Sequence, residues 1–201
     1  MSSPSVGQAQ FLGRVFREAV AEYAPRSIAV PGCSAGNGFE HIDPLVTQKV
    51  IGIDINPEYL NILRGRFDKR LPGLELVCSD LCEYELEAGG IDLLFCALVL
   101  EYLDPATFLA GASRWLSQEG ALVVIVQLPS QKSGKVSETP YKSLKRLEPV
   151  MSLLDPRRLR HLAKRSGLLE TRSRTETLAS GKAFFIAYFC RKPCDSRKSA
   201  G

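Results

Sequence analysis

Three glycines follow an apolar, strand-like run near the start of the chain, in a pattern that suits ligand binding. The stretch "IAVPGCSAGNG" places Gly32, Gly36 and Gly38 where a strand would end and where a helix is expected from about Ala35. Glycine adopts positive φ angles and lets a ligand approach the backbone closely. The pattern predicts a ligand at the carboxyl end of the first strand, although a plain tight turn would also use such residues.

Two aspartates end the next two apolar runs and indicate a nucleoside. Asp54 ends "VIGID", 18 residues beyond Gly36. At about this separation an acidic side chain in a dinucleotide-binding unit accepts hydrogen bonds from ribose hydroxyls. Asp80 ends the following run in the same way. We expect the pair to hold the ribose and the adenine edge; the alternative is that each carboxylate caps a following turn.

The elements that must position these residues alternate between apolar runs and helical patterns. Near-continuous apolar runs predict a parallel sheet covered on both faces, and they span Ser27–Val30, Lys49–Asp54, Leu74–Asp80, Ile91–Ala97 and Gly120–Leu128. Helical spacing predicts an amphipathic helix over about residues 7–23. The final runs, "TRSRTETL" and "AFFIAYFCRK", predict an antiparallel hairpin that turns at Ser180 and Gly181.

Helix boundaries follow from short polar signals. Asn56, Asp104 and Asp155 each precede a proline, which predicts an N-cap with proline at the first helical position. Gly167 is a predicted helix end.

The length and composition favour one domain over residues 1–201. With 201 residues and 45% hydrophobic content, the chain can bury one sizeable core but not two. We expect an ordered core over about residues 6–192, with disorder at Met1 to Ser5 and in the basic tail, 193–201. No signal peptide or membrane-spanning run is recognisable, so a cytoplasmic protein is expected.

Six cysteines raise the question of a metal site, because Cys78 with Cys82 and Cys190 with Cys194 each have C-x3-C spacing. Most of the cysteines lie in or beside apolar runs, where a free thiol behaves as a small hydrophobic group. We therefore predict no metal site and no disulfide framework.

Charge is distributed unevenly along the chain. Residues 1–131 carry 9 Lys and Arg against 16 Asp and Glu, whereas residues 132–201 carry 17 against 6, so the net charges are −7 and +11. The basic third is suited to an acidic substrate, a nucleic acid or a protein partner, or it is simply a solvated face.

The order of these motifs resembles that of the class I S-adenosylmethionine-dependent methyltransferases, over roughly residues 6–192. "AVPGCSAGNGFEHI" is similar to the glycine-rich first motif, "VIGIDINPEYL" to the ribose-binding second and "LVCSDL" to the adenine-binding third. "LVLEYLDP" resembles the small-molecule branch that includes quinone-biosynthesis enzymes. The resemblance implies an α/β, Rossmann-like fold with a mostly parallel seven-stranded sheet in the order 3-2-1-4-5-7-6, an antiparallel seventh strand and helices on both faces.

The same resemblance implies the cofactor S-adenosylmethionine, the product S-adenosylhomocysteine, and a set of binding residues. The glycine loop would line the methionine part, Asp54 and Ile55 the ribose side, Asp80 and Leu81 the adenine, and Ala97 the far wall; the loop residues are Gly32, Cys33, Ser34, Ala35 and Gly36. Two positions depart from the family pattern. Val30 replaces an acid and Ser34 a glycine, which puts tight binding in question, with Glu40 and Glu101 as possible replacement acids.

Methyl transfer needs alignment more than catalytic groups, since the sulfonium is already a competent donor. If the acceptor must lose a proton, Glu101, Tyr102 and His41 are the candidate bases, whereas His161 is expected to be solvated. We interpret Pro129 to Asp155 as a lid over a small-molecule, anionic acceptor. A nucleic-acid acceptor is disfavoured. Alternative interpretations are a methyltransferase-like scaffold that docks through the basic third and a nicotinamide-dependent oxidoreductase.

Overall fold

The computed structural model describes residues 4–129 and 153–191, which form a seven-stranded sheet in the order β3-β2-β1-β4-β5-β7-β6. Strand β7 pairs antiparallel with both neighbours, and the other pairings are parallel. The predicted strand order and the antiparallel seventh strand are confirmed. The strands are β1 Ser27–Pro31, β2 Lys49–Asp54, β3 Leu74–Cys78, β4 Ile91–Ala97, β5 Leu116–Gln127, β6 Leu168–Thr177 and β7 Ala183–Arg191.

Among the described residues, four α-helices cover the two faces of this sheet, namely α1 Pro4–Tyr23, α2 Pro57–Phe67, α3 Pro105–Trp115 and α4 Pro156–Arg165. Buried side chains of α1 and α2 share one core cluster with Val123 and Ile125 of β5. Those of α3 and α4 share the other cluster with Leu122 and Val124. Because both faces of β5 are covered, its sequence is almost continuously apolar, as the prediction of a doubly covered sheet required.

The predicted helix starts are confirmed. The side chains of Asn56, Asp104 and Asp155 accept hydrogen bonds from backbone N–H groups of the first turns of α2, α3 and α4, and a proline follows each of them. Gly167 follows α4 with a φ of +78°, and Gly181 has a φ of +82° in the hairpin turn between β6 and β7. Both angles lie in the left-handed region that favours glycine.

The α-helix expected from about Ala35 is not present, and this prediction was wrong. The chain instead makes turns that end in a short 3-10 helix, Phe39–His41. Gly36 and Gly38 have φ angles of +77° and +94°, and these left-handed residues interrupt any right-handed helix.

Three predicted boundaries also differ from the structure. Helix α1 begins at Pro4, three residues before the predicted helix start at about residue 7. Strand β5 begins at Leu116 and β6 at Leu168, several residues earlier than their apolar runs suggest. In β5 the polar residues 117–119 separate Leu116 from the apolar run and hide the strand start from a hydrophobicity pattern. The proposed lid falls mainly on residues 130–152 and the tail on 193–201, which lie outside the described residues.

The sheet order separates the two predicted cysteine pairs. Cys78 ends the edge strand β3, whereas Cys190 lies on β7, with four strands between them. At about 4.8 Å per strand the separation is roughly 24 Å, which is too far for a shared ion. Within the described ranges, no three His, Cys, Asp or Glu side chains are grouped as metal ligands would be. No helix there is long and apolar enough to cross a bilayer.

Ion pairs join the edge strand β6 to helix α1. Arg172 pairs with Glu22, Arg174 lies 2.6 Å from Glu18, and Arg14 pairs with Glu176. Charged side chains on an edge strand also discourage pairing with a second chain. These arginines of the basic third are therefore largely neutralised within the molecule.

The Asp104 cap gives a first test of how α3 is anchored beside the carboxyl edge of the sheet. Its Oδ2 accepts hydrogen bonds from the backbone N–H and the hydroxyl of Thr107, at 2.9 Å and 2.6 Å, and these bonds lower the pKa of the carboxyl. We expect Asp104→Ala to reduce the free energy of unfolding by about 1 kcal/mol at pH 7.

A lowered pKa means that the ionised carboxylate is the stabilising form. The cost of Asp104→Ala should therefore shrink as the pH falls and the cap becomes protonated. Urea unfolding at pH 7 and near pH 3 measures this. A cost that does not change with pH would contradict the role of the charged cap.

Candidate functional site

The glycine loop after β1 is a tight backbone corner at the carboxyl edge of the sheet. Gly32 and Gly36 have φ angles of +65° and +77°. A Cβ atom on Gly32 would lie 2.5 Å from the side chain of Val99, and one on Gly36 would lie 2.9 Å from Leu63. Both positions thus require glycine because of backbone conformation and space. Close packing within the chain therefore explains both glycines, as it would in a tight turn, and the close approach of a ligand stays a prediction.

Asp54 holds this loop against the end of β2. Its carboxylate is 9% exposed; Oδ2 accepts a hydrogen bond from the backbone N–H of Ser34 at 2.8 Å, and Oδ1 accepts one from Asn56 at 2.9 Å. The backbone N–H of Cys33 also donates to the carbonyl of Ile53 at 3.1 Å. Each carboxylate oxygen has a second lone pair, so Asp54 can accept further hydrogen bonds from a ligand hydroxyl.

An apolar surface adjoins this carboxylate. The side chain of Ile55 is 69% exposed at the end of β2, although most large hydrophobic residues of the chain are buried. The thiol of Cys78, at the end of β3, lies 3.7 Å from the carbonyl oxygen of Ile55. Leu81 and Ala97, which follow β3 and end β4, are half-buried. These residues line the edge where the carboxyl ends of parallel strands meet, as expected for a ligand site in an open α/β sheet.

Asp80 is exposed after β3, and one of its oxygens accepts a hydrogen bond from the backbone N–H of Cys82 at 2.9 Å. Asp54 makes the corresponding bond to Asn56. Both aspartates therefore do cap a following turn. Capping uses one oxygen of each carboxylate and leaves capacity for a ligand, so the two interpretations of these residues are compatible.

Two residues depart from the family pattern, and they have different surroundings: Val30 lies in β1 and Ser34 in the glycine loop. Val30 is 7% exposed and packs in the core cluster on the α1 and α2 side, with no acid in its place. Ser34 has a φ of +48°, the left-handed conformation that the expected glycine would adopt without strain. Cys33 is buried, and burial, together with the charge of Asp54, raises the pKa of its thiol to about 12. It is therefore protonated and contributes packing and backbone only.

Glu40, one of the two candidates for the missing acid, is engaged beside the glycine loop. Its Oε2 accepts a hydrogen bond from the backbone N–H of Gly38 at 3.1 Å and lies 4.0 Å from Arg66. Arg66 in turn donates to the carbonyl of Ala35. The carboxylate is thus engaged on the outer side of the glycine loop, where an arginine offsets its charge.

Glu101 is inside the protein rather than at the surface of the site. It is 2% exposed, and its Oε1 accepts a hydrogen bond from the backbone N–H of Gln127 at 2.8 Å. Its Oε2 is buried and has no hydrogen-bond partner in the described ranges. Burial raises the pKa of this carboxyl to about 7. The side chain ties the loop after β4 to the end of β5, which is a positioning role.

The three candidate bases are not brought together. Tyr102 is next to Glu101 and half-buried, and burial is the main cause of its raised pKa. His41 instead lines a separate cavity of about 260 Å³ with Ala24 and Thr47, near the amino ends of β1 and β2. His161 is exposed on α4, as expected.

Two features at this edge escaped the sequence interpretation. Leu98, directly after β4, has a φ of +58°, and its N–H donates to the carbonyl of Ile125. Leucine gives no sequence signal for this conformation. A cavity of about 200 Å³ adjoins Leu81, and its wall includes Trp115, whose indole N–H donates to Glu85 at 2.9 Å. The residues around the cavity come from two distant segments, so no local motif reveals it.

Comparisons with known proteins agree with this geometry. Residues 30–124 match the family model of a methyltransferase domain. Among proteins with curated descriptions, none matches the sequence. Two of the similar solved structures contain S-adenosylhomocysteine, and a third is bound to the same compound together with Mg²⁺ and geranyl diphosphate.

The first of these structures is the N-methyltransferase NodS from Bradyrhizobium japonicum WM9, with a TM-score of 0.68 and 18% identity over 96% of this chain and 90% of that chain. The magnesium protoporphyrin IX methyltransferase from Synechocystis PCC 6803 has a TM-score of 0.70 and is 14% identical, over 93% of this chain and 84% of that chain. The geranyl diphosphate C-methyltransferase from Streptomyces coelicolor A3(2) has a TM-score of 0.68 and is 11% identical, over 89% of this chain and 77% of that chain. These matches show a shared fold but do not distinguish the quinone-biosynthesis-like branch, which stays a prediction.

The buried carboxyl of Glu101 predicts a pH-dependent stability. Because its pKa is raised from 4.5 to about 7, folding favours the protonated form. Its contribution is complete below pH 4.5 and is lost as the pH rises through 7, by up to about 3 kcal/mol. We expect Glu101→Gln to be more stable than the native chain at pH 8 and similar to it at pH 5.

Urea unfolding at both pH values measures this difference. Glu83→Gln removes the same charge from an exposed position and serves as the control. If both variants change stability in parallel with pH, Glu101 is not buried as described.

The left-handed conformation of Ser34 predicts an order of stability among its substitutions. Ser34→Gly should lie within about 0.5 kcal/mol of the native chain, because relief of strain is offset by added freedom in the unfolded chain. Ser34→Val should lose about 2 kcal/mol, because a β-branched residue strongly disfavours positive φ. Chemical denaturation tests both. A valine variant as stable as the glycine variant would show that the φ angle at this position is negative.

Proposed function

We propose that this chain is a class I S-adenosylmethionine-dependent methyltransferase that methylates a small or medium-sized acceptor by in-line displacement. The methyltransferase-domain match over residues 30–124 and the sheet order support the proposal. The observation that carries the proposal is the buried Asp54 carboxylate, which holds the glycine loop and adjoins the exposed Ile55. Together they offer hydrogen-bond acceptors for a ribose and an apolar surface for a base.

The residues present fit an adenosyl ligand. Gly32 and Gly36 have positive φ angles and pack directly against Val99 and Leu63, which holds the loop in a tight corner beside the Asp54 carboxylate. In this proposal Asp54 binds the ribose, Ile55 and Leu81 contact the adenine, and Asp80 accepts a hydrogen bond at the adenine edge. The cofactor, when bound, supplies an electrophilic methyl group, and the protein binds and orients it.

The acceptor side is formed in part by Tyr102 and by the end of β5. Tyr102 is half-buried on the loop that the buried Glu101 fixes in place. We assign Glu101 a positioning role and keep Tyr102 as the side chain that can contact the acceptor. The three solved relatives named above act on different acceptors, and their names include both N- and C-methyltransferases. They therefore do not fix the methylated atom here.

A second candidate function is favoured by Val30. This residue is buried in the core at the position where the resembling family has an acid, and Glu40 is engaged elsewhere. A domain that binds the adenosyl ligand weakly and acts as a scaffold would fit this feature. Conversion of S-adenosylmethionine to S-adenosylhomocysteine with mixtures of small anionic acceptors would distinguish turnover from such a scaffold.

The ribose assignment gives the first binding test. We expect calorimetric titration to show that the native chain binds S-adenosylmethionine and S-adenosylhomocysteine, and that Asp54→Asn weakens both about tenfold to a hundredfold. The reason is the loss of a charge-assisted hydrogen bond worth about 1.5–3 kcal/mol. Asp43→Asn is the matched control, because Asp43 makes a similar turn bond, to Leu45, away from the site.

Two outcomes would contradict the proposal. Binding of NAD without binding of either adenosyl ligand would favour the oxidoreductase alternative. Folded protein that binds no adenosyl ligand would exclude cofactor-dependent methyl transfer. An equal loss of affinity in both aspartate variants would move the ribose site away from Asp54.

A further inference from the structure

Helix α4 has a stripe of cationic side chains on its outer face. We define the cationic stripe as Arg157, Arg158, His161, Lys164 and Arg165, all of which are exposed. At 100° per residue they lie within an arc of about 120°. Leu159 and Ala163, the buried residues of the helix, lie on the opposite side and pack in the core. The stripe is therefore turned away from the protein.

The Lys and Arg side chains of the stripe differ from the neighbouring arginines, because they form no ion pair with any residue that the structure describes. Arg160 pairs with Glu170 at 2.7 Å, and Arg172 and Arg174 pair with glutamates of α1. In the described ranges, no carboxylate lies within salt-bridge distance of the Lys and Arg side chains of the stripe. Arg158 is near enough to Asp104 to contribute to the lowered pKa of that carboxyl, but the two side chains form no ion pair. The stripe thus retains its positive charge.

Two arginines of the stripe lie at the helix end where a positive charge is unfavourable. Arg157 and Arg158 lie in the first turn of α4, which contains no acidic residue. The positive end of the helix dipole lies there, so cationic side chains are unfavourable at these positions. The Asp155 cap, which accepts hydrogen bonds from the backbone N–H groups of both residues, and the attraction between Arg158 and Asp104 offset part of this cost, and an external anion would offset the rest.

The surroundings of the stripe narrow the class of partner. No residue of α4 is among the exposed large hydrophobic side chains of the described ranges, and the helix contains no aromatic residue. Protein interfaces usually have an apolar or aromatic centre, and single-stranded nucleic acids stack on aromatic rings. Membrane-surface helices insert an apolar face, but that of α4 is buried in the core. A surface with charge alone fits a regular array of phosphates.

We propose that the cationic stripe binds the phosphate backbone of duplex DNA. From Arg157 to Arg165 the stripe is about 12 Å long, which is close to the width of the B-form major groove, about 12 Å. Its ends can therefore approach phosphates on both sides of one groove. The major groove of A-form RNA is too narrow for this approach. The net charge of +4 over the whole chain also favours the approach of DNA at longer range.

Fluorescence anisotropy of the full chain with a DNA duplex of about 20 base pairs, two helical turns, tests the proposal. We expect the logarithm of the binding constant to fall with the logarithm of salt concentration with a slope steeper than about −3, because four permanent charges each contribute about −0.9. Arg157→Gln with Arg158→Gln, and Lys164→Gln with Arg165→Gln, should each make the slope shallower by about 2. The first pair should not reduce the stability of the protein.

The matched control is Arg64→Gln with Lys69→Gln, which removes two exposed charges on and just after α2. It should leave the slope unchanged. An equal effect of control and stripe variants would overturn the proposal, as would the absence of duplex binding at low salt. Tighter, stripe-dependent binding of duplex RNA, an acidic peptide or phosphatidylserine vesicles would also overturn it and identify the other partner. None of these outcomes depends on methyl transfer.

Discussion

The carboxylate of Asp54 connects the parts of the candidate site. Through its two oxygens it joins the backbone of the glycine loop to the first residues after β2, and it is almost completely buried there. A buried carboxylate is stable only when its hydrogen bonds are satisfied, so the two N–H donors must stay in place. This requirement fixes Ser34 in a left-handed conformation and keeps the loop against Ile53. The positions available to a ligand follow from this one arrangement.

A second buried carboxyl, that of Glu101, holds the loop after β4, but its hydrogen bonding differs from that of Asp54. Glu101 also accepts a backbone N–H, but its other oxygen is unsatisfied within the described ranges, and burial favours its neutral form. Two backbone N–H donors thus stabilise the Asp54 carboxylate. The Glu101 carboxyl has one such donor, and its ionisation near neutral pH costs free energy because it is buried. The loop after β4 should therefore be held more weakly than the glycine loop. Such an unequal arrangement suits a site in which one wall binds a constant ligand and the other admits a varied one.

Much of the fold was predictable because its signals are local. Continuous apolar runs specified the doubly covered strands, and an N-cap followed by proline specified three helix starts. Asp54 was also predictable, from its spacing after the glycines. The role of Glu101 was not, because its burial depends on a contact with Gln127, 26 residues away. The left-handed Ser34 and Leu98 were missed for a related reason: neighbouring structure imposes their conformations, and residue type gives no signal for them.

Charge shows most clearly why sequence and structure are both needed. The sequence gives the C-terminal third a large positive charge, but it does not say which arginines are neutralised. In the fold, α1 brings Glu18 and Glu22 to the arginines of β6, so that these charges contribute to packing. Helix α4 lies on the other face of the sheet, beyond the reach of these acids, and its outer arginines keep their charge. Because these side chains are exposed and form no ion pairs within residues 4–129 and 153–191, their charge is available to a partner outside the chain.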